Sequence, residues 1–243
     1  MLTLLLFDVD GTLILTGGAG VRGMNRAFES IFAVPRAFDG IPMPGRTDPV
    51  ILADALARHG IEANAADILQ FRARYRQDLA DEMRTASVDG ARVMPGVRDL
   101  LATLRARSDV FLALLTGNYS EAARIKLETL GLWSCFECGA FGEDAADRNG
   151  LVSVAIERAL HCGMPRGVPR RVCVVGDTPL DVACALAAGV RSIAVTTGGY
   201  SAATLRASGA EAVLEDLSDA QAFLRLIDED APDGKYTRSP APA

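Results

Sequence analysis

The chain has 243 residues, of which 49% are hydrophobic and 23% are charged, and this apolar content excludes an intrinsically disordered protein. Lys and Arg number 25 against 31 Asp and Glu, and the resulting net charge of −6 excludes the basic surface of a nucleic-acid-binding protein. No apolar run approaches the roughly 20 residues of a membrane helix, and the N-terminal run ends at Asp8, unlike a secretory signal. We therefore expect a cytoplasmic protein without a nucleic-acid or membrane partner.

Short apolar runs alternate along the chain with amphipathic segments. This alternation predicts an α/β fold of the Rossmann type, in which helices cover a doubly wound parallel sheet. Aromatic residues make up only 6% of the chain, so the apolar content is mostly aliphatic and suits buried parallel strands better than an antiparallel sandwich. The predicted strands are residues 2–7, 110–115, 136–140, 172–175, 193–195 and 212–214.

The first two predicted strands lie much farther apart than one crossover helix requires. Two segments within this gap carry apolar residues at helical spacing, and no strand pattern is present there. We therefore predict a helical cap domain at residues 17–90, inserted into an α/β core domain of residues 1–16 and 91–228. The two helical faces contain Val21, Met24, Phe28, Ile31 and Phe32, then Ile68, Phe71, Tyr75, Leu79 and Met83.

Turn-forming residues mark the two connections between the predicted core and cap. Residues 16–18, with two glycines, are the predicted hinge into the cap, and residues 88–96, with Asp-Gly and Pro-Gly pairs, are the predicted linker back. Residues 229–243 are rich in proline and charge and lack apolar periodicity. We predict that they form a disordered tail.

The five cysteines are an odd number in a chain with enough apolar residues for its own core, which argues against a disulfide framework. Cys135 and Cys138 form a lone C-x-x-C without a second pair or histidines at ligand spacing. We interpret residues 135–138 as a strand whose thiols fill apolar space.

Two carboxylates follow the first predicted strand directly, in Asp8-Val9-Asp10-Gly11-Thr12. Side chains at i and i+2 of an extended chain face the same way, and two carboxylates held together repel unless a cation compensates them. Hard oxygen ligands on a short loop suit Mg²⁺, and Gly11 gives the backbone freedom to turn away from the site. This segment predicts a magnesium site.

Two further polar segments follow predicted strands. Asp177 and Asp181 come after the fourth strand, and Thr116, Gly117 and Asn118 come after the second. Because ligands bind at the carboxyl edge of an open α/β sheet, we expect all these groups to converge with the first carboxylate pair. The hydroxyl and backbone N–H groups of residues 116–118 predict a phosphate cradle at the start of the next helix. Each segment alone is also common in turns and helix caps. The functional interpretation therefore depends on all three segments occurring in this order, each directly after a predicted strand.

In these motifs and their order, the chain resembles the haloacid dehalogenase superfamily of phosphohydrolases over all but the predicted tail. The resemblance implies a Rossmann-like core with a small helical cap. It also implies that Asp8 is the nucleophile that becomes an aspartyl phosphate, and that Asp10 is the general acid and base. Thr116 would bind a phosphoryl oxygen. Mg²⁺ would bind Asp8, the backbone carbonyl of Asp10 and Asp177, with Asp181 orienting that set.

Members of this superfamily usually carry a lysine at the start of the helix before the fourth strand, where it screens the charge of the phosphate. This sequence departs from that pattern and has Arg148 at the equivalent place, so Arg148 is the predicted third-motif cation. Lys126, in the helix after Thr116, is the alternative. A surface arginine that caps a loop is the other interpretation of Arg148.

Positions 10 and 20 separate the subfamilies. The dehalogenases and phosphonatases of the superfamily lack a carboxylate at the place of Asp10, so the resemblance implies phosphate ester hydrolysis or mutase chemistry. Sugar phosphate mutases with similar caps usually carry a histidine where this chain has Gly20. This difference disfavours the mutase alternative, which stays open.

The predicted cap contains one candidate for substrate recognition. Arg46 lies between a turn and a predicted helix start, where its guanidinium can reach a carboxylate or a second phosphate of the substrate. A solvated arginine at a helix end is the alternative interpretation. The other predicted substrate-binding residues are Gly11, Gly117, Asn118 and Lys126.

We therefore predict a Mg²⁺-dependent phosphatase that resembles the phosphoglycolate phosphatases and acts, as a monomer or homodimer, on a small phosphorylated metabolite. Phosphoglycolate is the leading substrate, because of the family likeness and because Arg46 offers a partner for its carboxylate. A phosphomutase and a noncatalytic binding protein that retains the fold are the alternatives.

Overall fold

A six-stranded sheet forms the centre of the computed structural model, which describes residues 1–86, 90–168 and 170–229. The strands are β1 (Leu2–Phe7), β2 (Ile14–Thr16), β3 (Ala91–Val93), β4 (Val110–Leu115), β5 (Cys138–Ala140), β6 (Arg170–Gly176), β7 (Arg191–Val195) and β8 (Ala212–Leu214). The sheet has the order β5-β4-β1-β6-β7-β8, and every neighbouring pair is parallel. The predicted doubly wound α/β fold is confirmed.

Strand β1 lies in the interior of the sheet, between β4 and β6. All six of its residues are buried, because helices cover both faces of a parallel sheet, and its aliphatic sequence has no polar face for water. Phe7 pairs with Leu114 of β4 and with Val175 of β6. The loops after these three strands therefore leave the same edge of the sheet at nearly the same level.

The helices cover the sheet and fill the predicted cap segment. They are α1 (Ala19–Phe32), α2 (Asp48–Arg58), α3 (Ala65–Ala86), α4 (Val97–Arg105), α5 (Ser120–Thr129), α6 (Leu151–His161), α7 (Pro179–Ala187), α8 (Ala202–Ala207) and α9 (Ala220–Asp228). Helix α4 shows the predicted amphipathic spacing, since Val97, Leu100, Leu101 and Leu104 are all buried. Its apolar face packs on the core cluster that contains β1 and β4 residues.

Helices α1, α2 and α3 share an apolar cluster above the sheet edge with Tyr119 and Ala122, at the start of α5. Phe28 of α1 and Phe71 of α3 lie at its centre, with ring centroids 6.3 Å apart. Val21, expected on the same face of α1, is instead 37% exposed. Strands β2 and β3 pair in antiparallel fashion at the two ends of this segment and link it to the core. The boundaries of a cap domain at residues 17–90 stay a prediction.

One strand prediction is wrong in part. Residues 136–140 form a strand only from Cys138 onward, and the C-x-x-C segment interpreted as a strand begins in a 3₁₀ turn, Trp133–Cys135. The reason is that β5 is at the edge of the sheet and pairs only with β4, so ladder bonds on one side alone hold it extended.

Two predictions fall outside the described residues. These are the tail from residue 230 onward, and residues 88–89 of the predicted linker. Within the part of the chain that the structure describes, no helix combines the length and the apolar character needed to cross a membrane.

Candidate active site

The two acidic motifs meet at the carboxyl edge of the sheet. Asp8 follows β1 and Asp177 follows β6, and the backbone N–H of Asp8 donates to the carbonyl of Val175 at 2.9 Å. Asp181 lies in the first turn of α7. One carboxylate oxygen from each of Asp8, Asp177 and Asp181 lies within 4.8 Å of the others, and all three residues are buried. The structure thus brings together the carboxylates that the sequence placed far apart in the chain.

Burial makes the carboxyl groups of Asp8 and Asp177 difficult to ionise without a cation. Desolvation raises the pKa of Asp8 to about 7, although Arg148 opposes the shift. Desolvation, together with the charges of Asp181 and Asp8, raises the pKa of Asp177 to about 9. A divalent cation beside Asp8 and Asp177 would favour the ionised forms of these two groups. Because Mg²⁺ prefers carboxylate oxygens, the predicted metal fits the residues present.

Arg148 is a buried cation that contacts both the core carboxylates and the predicted cap. It begins the 3₁₀ turn before α6, and its Nη2 lies 2.9 Å from Asp8 Oδ1 and also contacts Asp181 Oδ1. Its Nη1 donates to the carbonyl of Gly45 at 2.9 Å. The side chain is 7% exposed, and its Nε has no hydrogen-bond partner within the described parts of the chain. The predicted third-motif cation is therefore in direct contact with the predicted nucleophile.

The carboxylate of Asp10 has different partners from that of Asp8. Lys126 Nζ lies 2.6 Å from Asp10 Oδ2, and Asn118 Nδ2 donates to the same oxygen at 2.7 Å. Asn118 Nδ2 also donates to Thr116 Oγ1 at 2.8 Å. The Lys126 side chain is 5% exposed, whereas that of Asp10 is 41% exposed. The alternative cation, Lys126, thus contacts the predicted acid and base instead of the nucleophile.

The loop after β1 is shaped around Asp177. Thr12 Oγ1 donates to Asp177 Oδ1 at 2.9 Å. Gly11 has a φ of +84°, and a Cβ at this position would lie 2.5 Å from Asp177 Oδ2. This position therefore needs glycine both for its backbone conformation and for the close approach of the carboxylate. Gly198 also approaches Asp177 closely, since a Cβ there would lie 1.6 Å from Asp177 Oδ2, and it lines the site.

The start of α2 docks on the predicted phosphate cradle. The backbone N–H of Asp48 donates to the Gly117 carbonyl at 2.7 Å, and Asp48 Oδ2 accepts from the backbone N–H of Tyr119 at 2.8 Å. Gly117 allows this approach, since a Cβ there would lie 2.1 Å from the Arg46 carbonyl oxygen. Desolvation raises the pKa of Asp48 to about 7, although Lys126 opposes the shift. One cap carboxylate is therefore buried against the core loop.

A cavity of about 440 Å³ separates the acidic edge of the sheet from the cap helices. Every predicted site residue except Asp181 lines this cavity. Asp181 instead forms a capping box with Thr178 at the start of α7 and orients Arg148. The cap contributes a mostly apolar wall that includes Val21, Met24, Met43, Ile51 and Tyr75.

Arg46 lines the cavity, but its guanidinium has partners within the cap. Its Nη2 lies 2.7 Å from Asp54 Oδ2, and its Nη1 donates to the Pro42 carbonyl at 3.0 Å. A substrate carboxylate would have to compete with Asp54 for this side chain. Substrate binding by Arg46 stays a prediction.

Sequence reasoning missed three residues of the site. Thr12 had a usable signal, because a hydroxyl two residues after Asp10 in a tight turn can return to the same edge of the sheet. Asp48 had no distinguishing signal, because acidic residues are common at helix starts; Thr47 caps α2 in the structure. Tyr75 was assigned to the apolar face of its helix, and nothing in the local pattern indicated that its ring would also line the cavity.

Comparison with known proteins identifies relatives along most of the chain. The model of the haloacid dehalogenase-like hydrolase family matches residues 5–195. A phosphoglycolate phosphatase from Rhodospirillum rubrum is 32% identical over 216 residues, which cover 88% of this chain and 87% of that protein.

Solved structures share the fold at lower sequence identity. CbbY from Rhodobacter sphaeroides, solved in complex with phosphate, aligns with a TM-score of 0.68 at 19% identity and covers 90% of this chain and 96% of its own. A Thermotoga maritima protein provisionally assigned as a β-phosphoglucomutase aligns with a TM-score of 0.60 at 21% identity, over 93% of this chain and 100% of its own. At these identities the two structures support the fold alone.

Proposed function

Because the chain belongs to the haloacid dehalogenase-like hydrolase family and is a phosphatase, we propose that it hydrolyses a small phosphomonoester with Mg²⁺ through an aspartyl phosphate on Asp8. Phosphoglycolate is the first substrate to test, because the Rhodospirillum rubrum relative at 32% identity is a phosphoglycolate phosphatase. Asp10 is the proposed general acid and base.

The proposal rests on one observation, the contrast between two carboxylates in a single loop. The Asp8 residue is 4% exposed and contacts the guanidinium of Arg148, whereas the Asp10 side chain is 41% exposed and hydrogen-bonded by Asn118. Different surroundings give two carboxyl groups different chemical roles, as in other hydrolases with paired acids. The buried group suits a nucleophile held among charges, and the more exposed group suits proton exchange with the substrate.

In the first step, an oxygen of ionised Asp8 attacks phosphorus and the bond from phosphorus to the leaving oxygen breaks. Protonated Asp10 gives its proton to that oxygen, so the product leaves as an alcohol. Arg148 stabilises the negative charge near Asp8, and the Thr116 hydroxyl binds a phosphoryl oxygen. The phosphoryl group is then bonded to Asp8.

In the second step, the carboxylate of Asp10 takes a proton from water, and the water oxygen attacks the phosphorus of phospho-Asp8. The bond from phosphorus to Asp8 breaks, which releases inorganic phosphate and restores the Asp8 carboxylate. The proposed ligands of Mg²⁺ are Asp8, Asp177 and the backbone carbonyl of Asp10, oriented by Asp181. When bound, the ion supplies the positive charge that lets a carboxylate approach a phosphate dianion.

A phosphomutase is the alternative within the same fold. The observation against it is Gly20, which lines the cavity at the place where the mutases of this family usually carry a histidine. Without that side chain, water is the acceptor that the site offers to the phosphoryl group.

The proposed function is tested with wild type and Asp8→Asn on a panel of phosphate esters, each with Mg²⁺ or EDTA. We expect wild type to release inorganic phosphate only with Mg²⁺, and Asp8→Asn to lose at least about 1000-fold in kcat, because the amide cannot form the acyl phosphate. Asp99→Asn is the matched control, since Asp99 is an exposed carboxylate of α4 outside the cavity, and we expect it to keep the wild-type rate.

Absence of Mg²⁺-dependent phosphate release from every ester would contradict the phosphatase proposal. An Asp8→Asn variant as active as wild type would contradict the nucleophile. Isomerised product without free phosphate would favour the mutase.

A further inference from the structure

The leaving group of the substrate needs a binding site of its own, and the cavity offers one beside Gly20. Gly20 is the second residue of α1, and a Cβ on it would lie 3.5 Å from Lys126 Nζ and 3.8 Å from Tyr75 Oη. All three residues line the cavity. We call the space bordered by Gly20, Tyr75 and Lys126 the Gly20 niche.

Tyr75 brings an unused hydrogen-bond donor to the niche. Tyr75 is 2% exposed, and its hydroxyl has no hydrogen-bond partner among residues 1–86, 90–168 and 170–229. Burial and the charges of Asp48 and Asp10 raise its pKa, so the hydroxyl keeps its proton. Tyr75 lines the cavity, where a ligand can supply an acceptor for this hydroxyl.

Lys126 brings a second donor and a positive charge. Its ammonium has three N–H groups, of which Asp10 Oδ2 and Asn118 Oδ1 accept two. The third is available toward the niche. The positive charge of Lys126 favours an anionic acceptor for this N–H group.

The two donors of the niche therefore favour a substrate that carries an anionic acceptor group close to its ester oxygen. Asp10 gives its proton to that oxygen, and Lys126 contacts the same carboxyl group, so a substituent held by Lys126 lies near the reacting bond. We propose that the Gly20 niche binds a carboxylate on the carbon next to the ester oxygen, through Tyr75 Oη and Lys126 Nζ. This rests on the proposed phosphatase function and assigns its substrate class as phosphate esters of 2-hydroxycarboxylates, of which phosphoglycolate is the smallest.

The niche is tested with two variants and two substrates of equal carbon number, 2-phosphoglycolate and ethyl phosphate. Gly20→Ala fills the niche with a methyl group at ordinary contact distance, and alanine suits a helix better than glycine does. Tyr75→Phe removes only the hydroxyl. We expect each variant to lose roughly tenfold or more in kcat/KM for 2-phosphoglycolate, and less than about twofold for ethyl phosphate, which lacks the carboxylate. Tyr200→Phe is the control, because Tyr200 packs in a separate apolar cluster.

Each outcome decides for or against the niche. Equal losses for both substrates, with unchanged thermal unfolding, would overturn it, and so would two variants that keep the wild-type preference. Wild type that hydrolyses ethyl phosphate as well as 2-phosphoglycolate would overturn the niche and leave the phosphatase proposal intact. Wild type that releases phosphate from no ester of the panel would overturn both.

Discussion

The site has two regions that differ in how their charges are satisfied. The buried floor consists of Asp8, Asp177, Asp181 and Arg148, and all of these residues are less than about one tenth exposed. The cap-facing wall consists of Asp10, Asn118, Lys126 and Tyr75, and the Asp10 side chain there is 41% exposed. The floor is built from core residues alone, whereas the wall joins core residues to a cap helix.

This contrast teaches that the two candidate cations are not alternatives to one another. Arg148 contacts Asp8, Asp181 and the Gly45 carbonyl at the same time, because its planar guanidinium carries several N–H donors. Lys126 is a compact charge held against Asp10, and it is one of only two lysines in a chain with 23 arginines. Each cation therefore contacts a different carboxylate of the first motif.

Removal of the floor cation should have the largest effect. Arg148→Ala leaves Asp8 and Asp181 buried without their positive partner, and we expect kcat to fall by about 100-fold to 1000-fold for every phosphate ester. Arg148→Lys should recover part of this loss, because lysine restores the positive charge but not the several fixed N–H donors of the guanidinium. The measurement is steady-state phosphate release with saturating Mg²⁺.

Arg158→Ala is the matched control for that experiment. Arg158 forms an ion pair with Asp144 and lies outside the catalytic cavity, so its loss should leave kcat near the wild-type value. If Arg148→Ala retained wild-type turnover, Arg148 would have no part in the mechanism and the floor would be purely structural.

Removal of the wall cation should have a smaller effect that depends on the leaving group. Lys126→Met keeps the length of the side chain, and we expect kcat/KM to fall by roughly 10-fold to 100-fold for ethyl phosphate, whose alkoxide needs a proton from Asp10. For p-nitrophenyl phosphate, whose leaving group needs little protonation, the loss should be several-fold smaller. The ratio of the two rates is the measurement.

Arg148→Ala, measured in parallel, should lower both rates by the same factor. Equal sensitivity of the two substrates to Lys126→Met would show that Lys126 does not act with Asp10. In that case the floor and the wall would not differ in function as proposed.

The sequence predicted the core residues of the site better than the contacts of the cap helices, for a physical reason. Buried parallel strands are aliphatic runs, so β4 and β8 have the predicted bounds, and residues directly after such strands must lie at one edge of the sheet. Asp8 and Asp177 could be placed by that rule. Asp48 and Tyr75 could not, because their contacts with the core depend on how the cap helices dock, and no local pattern encodes that docking.

Asp48, where the predicted cap meets the core, should affect stability and not turnover. Burial raises its pKa from an ordinary 3.8 to about 7, so the folded protein binds this proton more tightly than the unfolded chain. The stabilising contribution of Asp48 is therefore complete below pH 3.8 and is lost as the pH rises through about 7. Asp48→Asn has no such dependence, and its amide oxygen can still accept from the backbone N–H of Tyr119.

The measurement is urea unfolding of wild type and Asp48→Asn in the presence of EDTA. We expect the difference between their free energies of unfolding, wild type minus variant, to fall by about 1–3 kcal/mol as the pH rises from about 5 to about 8.5. Asp99→Asn, at an exposed carboxylate in the first turn of α4, should show no comparable trend. A difference that does not change with pH would mean that Asp48 is equally ionised in both states. The start of α2 would then not be buried against Gly117, and the wall would be open to water on the side of the cap.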